Sequence, residues 1–253
     1  MDRFLRAALI WVLLVSSPTT TVETFAGEDP PSPESKRRVD QVLAEWHAKA
    51  SSHRTIEVKF RQEDRSKFGS ISTKARRAIL ASPHLGFLET SSVDDKARPV
   101  EILSRIIWND QSVLFFDMAE QEVNRYANLR ESSRLPAELR LPFLFDMTLD
   151  EVKRDYDWAL LREEGDLILL GATGRAETRS AQGQRTTIIE LSRTDFLPKR
   201  VFYRDVATGE QVRIEAKEIK LNAFTDLEGL ASPCLDAWTV TERNGRFLRP
   251  FLQ

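Results

Sequence analysis

Three pairs of neighbouring carboxylates are the first candidates for acid–base chemistry in this sequence: Glu63-Asp64, Asp94-Asp95 and Glu163-Glu164. Hydrolysis of a sugar needs two carboxylates facing one cleft. Adjacent residues on a strand point to opposite faces, and all three pairs fall at strand ends or in loops, so they read as solvated turn charges. The three histidines read no more sharply. His47 sits beside the apolar stripe of an N-terminal helix, His53 at a helix-to-strand junction, and His84 behind Pro83 in a turn. Cys234 stands alone, which forbids an intrachain disulfide and reads as a buried, inert thiol. One Cys and three His leave no Cys/His zinc set. Gly171-Ala172-Thr173-Gly174 lacks the spacing and the lysine of a phosphate loop, and no GxSxG or HExxH motif occurs. The sequence therefore offers no catalytic residue, metal site or cofactor site. A hydrolase would need two of these carboxylates, or a Ser/His pair, to converge.

Charge narrows the partners. Lys plus Arg total 37 against 39 Asp plus Glu, a net charge of -2, which argues against nucleic-acid binding by bulk electrostatics. Lys36-Arg37-Arg38 and Arg76-Arg77 are too short to say otherwise. The 14 Phe and 5 Trp are too many for a disordered chain.

Residues 1–26 read as a signal peptide. Arg3 and Arg6 precede the apolar run Ala7–Val15, and Thr24-Phe25-Ala26 offers a cleavage site. Such a run is shorter than the roughly 20 residues that span a bilayer. The expected mature protein is periplasmic or secreted. A Pro-rich linker follows at 27–35, with Ser32 and Pro33 suited to start a helix. The main domain is expected at 36–225 and a C-terminal extension at 226–253.

The elements that would position a site follow from periodicity. Val39, Val42, Leu43 and Trp46 have the spacing of one apolar helical face. Ile56, Val58 and Phe60 alternate with charged residues, as in a half-buried strand. Weaker strand patterns at 70–81 and 87–90 precede strands at 101–108, 112–117 and 121–126, a meander by its turn spacing. Thr148 and Glu151 form a capping box for a helix over Leu149–Asp155. Strands resume at 158–162, 167–170, 186–193, 199–203 and 212–220, with a mobile loop at 171–185. Asn244-Gly245 predicts a hairpin joining Trp238–Val240 to Phe247-Leu248. Helices at two points in a long run of strands make this an antiparallel α+β chain.

The strands carry more apolar residues than one buried face needs. Ile106-Ile107-Trp108, Val113-Leu114-Phe115-Phe116 and Leu167-Ile168-Leu169-Leu170 are consecutive, which demands cover on both faces. These residues either fill a core or help a curved sheet enclose an apolar cavity.

Several local patterns, in this order, resemble the lipoprotein-localisation-factor superfamily (LolA/LolB-like) across residues 36–222. They are the strand Ile56-x-Val58-x-Phe60-x-Gln62, the turn Ser82-Pro83-His84-Leu85-Gly86-Phe87, and Asp110, Leu114 and Phe116/Asp117 with Gln121–Val123. The insertion Leu141-Pro142-Phe143-Leu144-Phe145 and the turn Asp195-Phe196-Leu197-Pro198-Lys199 complete them. The resemblance implies an unclosed antiparallel β-barrel, a strongly curved sheet whose concave face is covered by the N-terminal helix and the central helical segment. It also implies non-catalytic binding of acyl chains. The carriers have a basic residue where this chain has Ser82, and 226–253 has no counterpart.

On this reading Trp46, Phe60, Trp108, Phe116, Phe143 and Phe145 line an apolar cavity that takes a lipid or lipoprotein acyl chain. Transient membrane contact and an envelope protein partner are also expected. The alternative is an envelope structural or interaction module with a filled core and no ligand.

Overall fold

The computed structural model describes residues 32–82, 85–109, 112–127, 141–145, 147–175, 185–223 and 235–243. Contacts divide the chain after Pro33, and the compact unit Glu34–Gln253 holds the fold. The expected signal peptide, His84, Cys234 and the Asn244-Gly245 turn lie outside the described residues.

Helix α1 (Pro33–Ala50) buries Val39, Val42, Leu43 and Trp46, the stripe expected from its spacing, together with Ala50. Six strands follow: β1 (Ile56–Arg65), β2 (Ile71–Ser82), β3 (Leu85–Val93), β4 (Pro99–Trp108), β5 (Ser112–Asp117) and β6 (Glu122–Ala127). Helix α2 (Leu149–Asp155) begins at the expected capping box: the Thr148 hydroxyl accepts from the Glu151 N–H at 3.2 Å, and the Glu151 carboxylate accepts from the Thr148 N–H at 2.9 Å. Then come β7 (Tyr156–Glu164), β8 (Leu167–Gly174), β9 (Arg185–Ser192), β10 (Pro198–Asp205), β11 (Gln211–Leu221) and β12 (Thr239–Arg243).

All twelve strands form one sheet, in the order β12-β6-β5-β4-β3-β2-β1-β11-β10-β9-β8-β7. It does not close; β12 and β7 are its edges. Register shifts interrupt β1 at Lys59/Phe60, β3 beside Ser91 and β7 between Leu160 and Arg162. Such irregularities bend a sheet, and open sheets beyond about 10 strands rarely stay flat.

One expectation is met in full and two change. The stretch at 70–81 is a full inner strand, paired on both sides by β1 and β3. The expected loop at 171–185 is shorter, because β8 runs on to Gly174. Finally, β12 adds to the edge of β6 in parallel, from Thr239↔Glu122 to Arg243↔Tyr126, the one parallel pairing among the described strands.

The apolar residues sort into two clusters. The larger takes Ile56, Val58 and Phe60 of β1, Ala78 and Leu80 of β2, Leu88, Ile106, Trp108 and Val113, and continues through β8–β11. The smaller takes Ile79, Phe87, Ile107, Leu114, Phe116 and Val123, the intervening residues of β2–β6, with Leu235 and Trp238 packed against it. Period-two alternation thus gives this half of the sheet two buried faces. Strand β8 differs: Ile168 and Leu170 are buried but Leu167 and Leu169 only half so.

Gly86 lies opposite Trp108 across β3 and β4. A Cβ there would collide with the indole and stand 2.7 Å from the Ile79 carbonyl oxygen, so neither neighbour leaves room. Gly86→Ala is expected to cost about 1–3 kcal/mol, read as a lower urea midpoint at unchanged slope.

Candidate functional site

The large cluster is where α1, the segment 141–147 and the sheet meet. Leu141, Phe143, Leu144, Phe145 and Met147 are all at most 7% exposed and all belong to it, as do Trp46 of α1 and Val152 of α2. Residues 141–143 form one helical turn. Leu144 then adopts φ +45°, a left-handed conformation that a leucine takes only when its surroundings enforce it.

Beneath Pro142 and Phe143 lies an apolar cavity of about 20 Å³, walled by Val58 and Phe60 of β1, Val201 of β10, and Ile214 and Ala216 of β11. It has room for about one water molecule. An acyl chain would fit here only by displacing Phe143.

Of the six residues expected to line a cavity, Trp46, Phe60, Trp108, Phe143 and Phe145 belong to this cluster. Phe116 does not. It lies in the smaller cluster on the opposite face, edge-on to Trp238 with ring centroids 5.1 Å apart. In β5, Val113 and Phe115 face the large cluster, while Leu114 and Phe116 face away. The structure also adds residues that the sequence analysis did not single out. Val201 pairs with Ile214 and Tyr203 with Val212 across β10 and β11. Their alternation was the available signal. Trp158 meets Trp46 edge-on at 6.0 Å and donates from Nε1 to the Val152 carbonyl oxygen at 2.9 Å.

Polar contacts fasten α1 at the margin of this apolar interior. Arg38 binds Glu163 of β7 through two hydrogen bonds, one of them Nε to Oε2 at 2.9 Å, and Arg193 reaches the same carboxylate. Glu163 is therefore not the solvated turn charge its sequence context suggested. The hydrogen bond from Arg38 holds its carboxyl below the ordinary glutamate range. Asp40 pairs with Lys153 of α2. His47 donates from Nε2 to the Met147 carbonyl oxygen at 2.9 Å, tying α1 to the 141–147 segment. By contrast, the indole Nε1 groups of Trp46 and Trp108 are buried with no acceptor among the described residues.

The other carboxylate pairs are also taken up by cations and turns. Glu63 faces Arg61, Asp64 accepts from Gln62 and faces Lys74, and Asp94 accepts the N–H groups of Lys96 and Arg98. Asp166, held far below the usual carboxylate range by hydrogen bonds from Lys199 and Thr194, fastens the β7–β8 turn to the start of β10. Among the described residues no cluster of three His, Cys, Asp or Glu side chains could hold a metal. No described helix is long and apolar enough to cross a membrane.

No family model matches the chain, and no curated protein matches it. Solved structures do resemble it. An uncharacterized conserved protein from Thermus thermophilus is 12% identical, covering 80% of this chain and 98% of its own at a TM-score of 0.47. A putative outer membrane lipoprotein-sorting protein domain from Vibrio parahaemolyticus is 8% identical, covering 77% and 96% at 0.39. A LolA superfamily protein from Nitrosomonas europaea is 14% identical, covering 74% and 96% at 0.34. The resemblance read from the sequence is thus met again among solved structures. At these TM-scores it carries no functional argument.

A glutamate whose folded pKa is depressed contributes stability at pH values above its unfolded pKa and loses it as pH falls through the folded value. Wild-type stability should therefore fall on acidification below about pH 4.5, partly through Glu163. Glu163→Gln should flatten that fall in urea titrations run from pH 6 to pH 3. An unchanged pH profile would remove the role given to this ion pair.

Proposed function

We propose that this chain is a non-catalytic cell-envelope protein, exported by residues 1–26, that binds the acyl chain of a lipid or lipoprotein between its sheet and its helices. The segment 141–147 occupies the site when the ligand is absent. That segment carries the proposal. Its described residues, 141–145 and 147, are apolar, lie outside the sheet, include a left-handed leucine, and cover a cavity walled by β1, β10 and β11.

The energies suit exchange. Burying an acyl chain of about 14 methylenes is worth roughly 11 kcal/mol, at about 0.8 kcal/mol each. Exposing the five apolar side chains of the segment costs roughly 7–15 kcal/mol, at about 1.5–3 kcal/mol each. The two terms are of similar size, so neither occupant excludes the other, as reversible carriage requires. The indole N–H groups of Trp46 and Trp108, which meet no acceptor among the described residues, support the same reading, since an ester or amide carbonyl on the ligand would supply one.

The second reading, a structural or protein-interaction module, rests on the filled interior and its cavity of about 20 Å³. The two readings part on one experiment. Phe143→Ala empties part of the site, so it should cost about 3–5 kcal/mol of stability and bind a fluorescent fatty-acid probe about tenfold more tightly than wild type. Native mass spectrometry should find lipid on both proteins. If neither protein binds probe or lipid, the module reading stands and the carrier reading falls.

A further inference from the structure

The two ends of the sheet differ. At one end the β7–β8 and β9–β10 turns are polar, built around Asp166, Thr194 and Lys199. The β1–β2, β3–β4 and β10–β11 hairpins open at the other end, because Arg65 lies opposite both Ile71 and Gln211, and Val93 lies opposite Pro99. Exposed apolar side chains gather there. Phe68 is 87% exposed, Val100 68%, Ile71 58% and Val206 51%, whereas the described turns at the polar end expose no large apolar side chain.

Phe68 is held outward. The Ser66 and Ser70 hydroxyls meet at 2.6 Å, and the Gly69 N–H donates to the Ser66 carbonyl oxygen at 3.0 Å. Gly69 turns the chain at φ +85°. The Lys67 ammonium stands 4.9 Å from the ring centroid. Residues 65–71 include the cations Arg65 and Lys67 and no acid. Asp64 is engaged with Gln62 and Lys74, Asp94 with Arg98, and Asp205 with the N–H groups of Ala207 and Thr208, while Asp95 on the β3–β4 turn is exposed.

We infer that this end of the sheet docks on an anionic lipid bilayer. Phe68 enters the boundary between headgroups and acyl chains, and Arg65 and Lys67 lie on the headgroup phosphates. An aromatic flanked by cations suits that boundary, where apolar burial and attraction to anionic lipid add. The apolar residues are spread over three hairpins, Phe68 and Ile71 on β1–β2, Val100 on β3–β4 and Val206 on β10–β11. The inference is independent of what fills the interior.

A tryptophan placed at the tip tests it in the full chain. Phe68→Trp emission, taken as the difference from wild type, should shift to the blue on vesicles of brominated phosphatidylglycerol and lose about half its intensity. Because the signal belongs to one position, any other segment that anchors the chain leaves it unaffected. Glu164→Trp, at the polar end, should be unquenched. In ~0.5 M salt the Phe68→Trp quenching should weaken about threefold. No quenching at position 68, or equal quenching at 68 and 164, overturns the inference. Quenching at 68 that is equally strong in brominated phosphatidylcholine overturns the part given to Arg65 and Lys67.

Discussion

Strands β4 and β5 are apolar at consecutive positions, and a strand of that kind must be covered on both faces. Most of the architecture answers that demand. On one side Ile106, Trp108 and Val113 meet the residues contributed by α1, α2 and the segment 141–147. On the other, Ile107, Leu114 and Phe116 meet Leu235 and Trp238, brought there as the chain adds β12 to the edge of β6. Of the C-terminal stretch, which has no counterpart in the resemblance, the described residues Leu235 and Trp238 thus lie against the second face. At the margin of the apolar interior Arg38, Asp40, Lys153 and Glu163 fasten α1.

Local signals were readable from the sequence wherever one residue type settles one geometry. The four stripe residues of α1 needed only helical spacing. Thr148 and Glu151 announced α2 because a capping box satisfies two backbone donors at once. The side on which a strand residue lies was harder. Where Ile56, Val58 and Phe60 alternate with charges, the buried face is evident. In Val113-Leu114-Phe115-Phe116 both parities are apolar, so the pattern cannot say whether Phe115 or Phe116 faces the helices. The parallel pairing of β12 and the partners of Glu163 were invisible for another reason: both depend on contacts more than a hundred residues away along the chain.

The interior is occupied by the protein's own chain. Phe143 and its neighbours fill space that an apolar ligand could take, and they do so through a leucine in a left-handed turn and one hydrogen bond from His47. The strands beneath these residues are joined by ladders from β1 to β11, interrupted once at Lys59/Phe60, and from β11 to β10. On the proposed reading the sheet is the fixed part and the segment the exchangeable part.

Amide hydrogen exchange across residues 141–147, with and without saturating lysophospholipid, tests this division most directly. Ligand should accelerate exchange in the segment by about tenfold or more while β1 and β11 keep their protection. Unchanged protection of 141–147 at saturation would contradict the account.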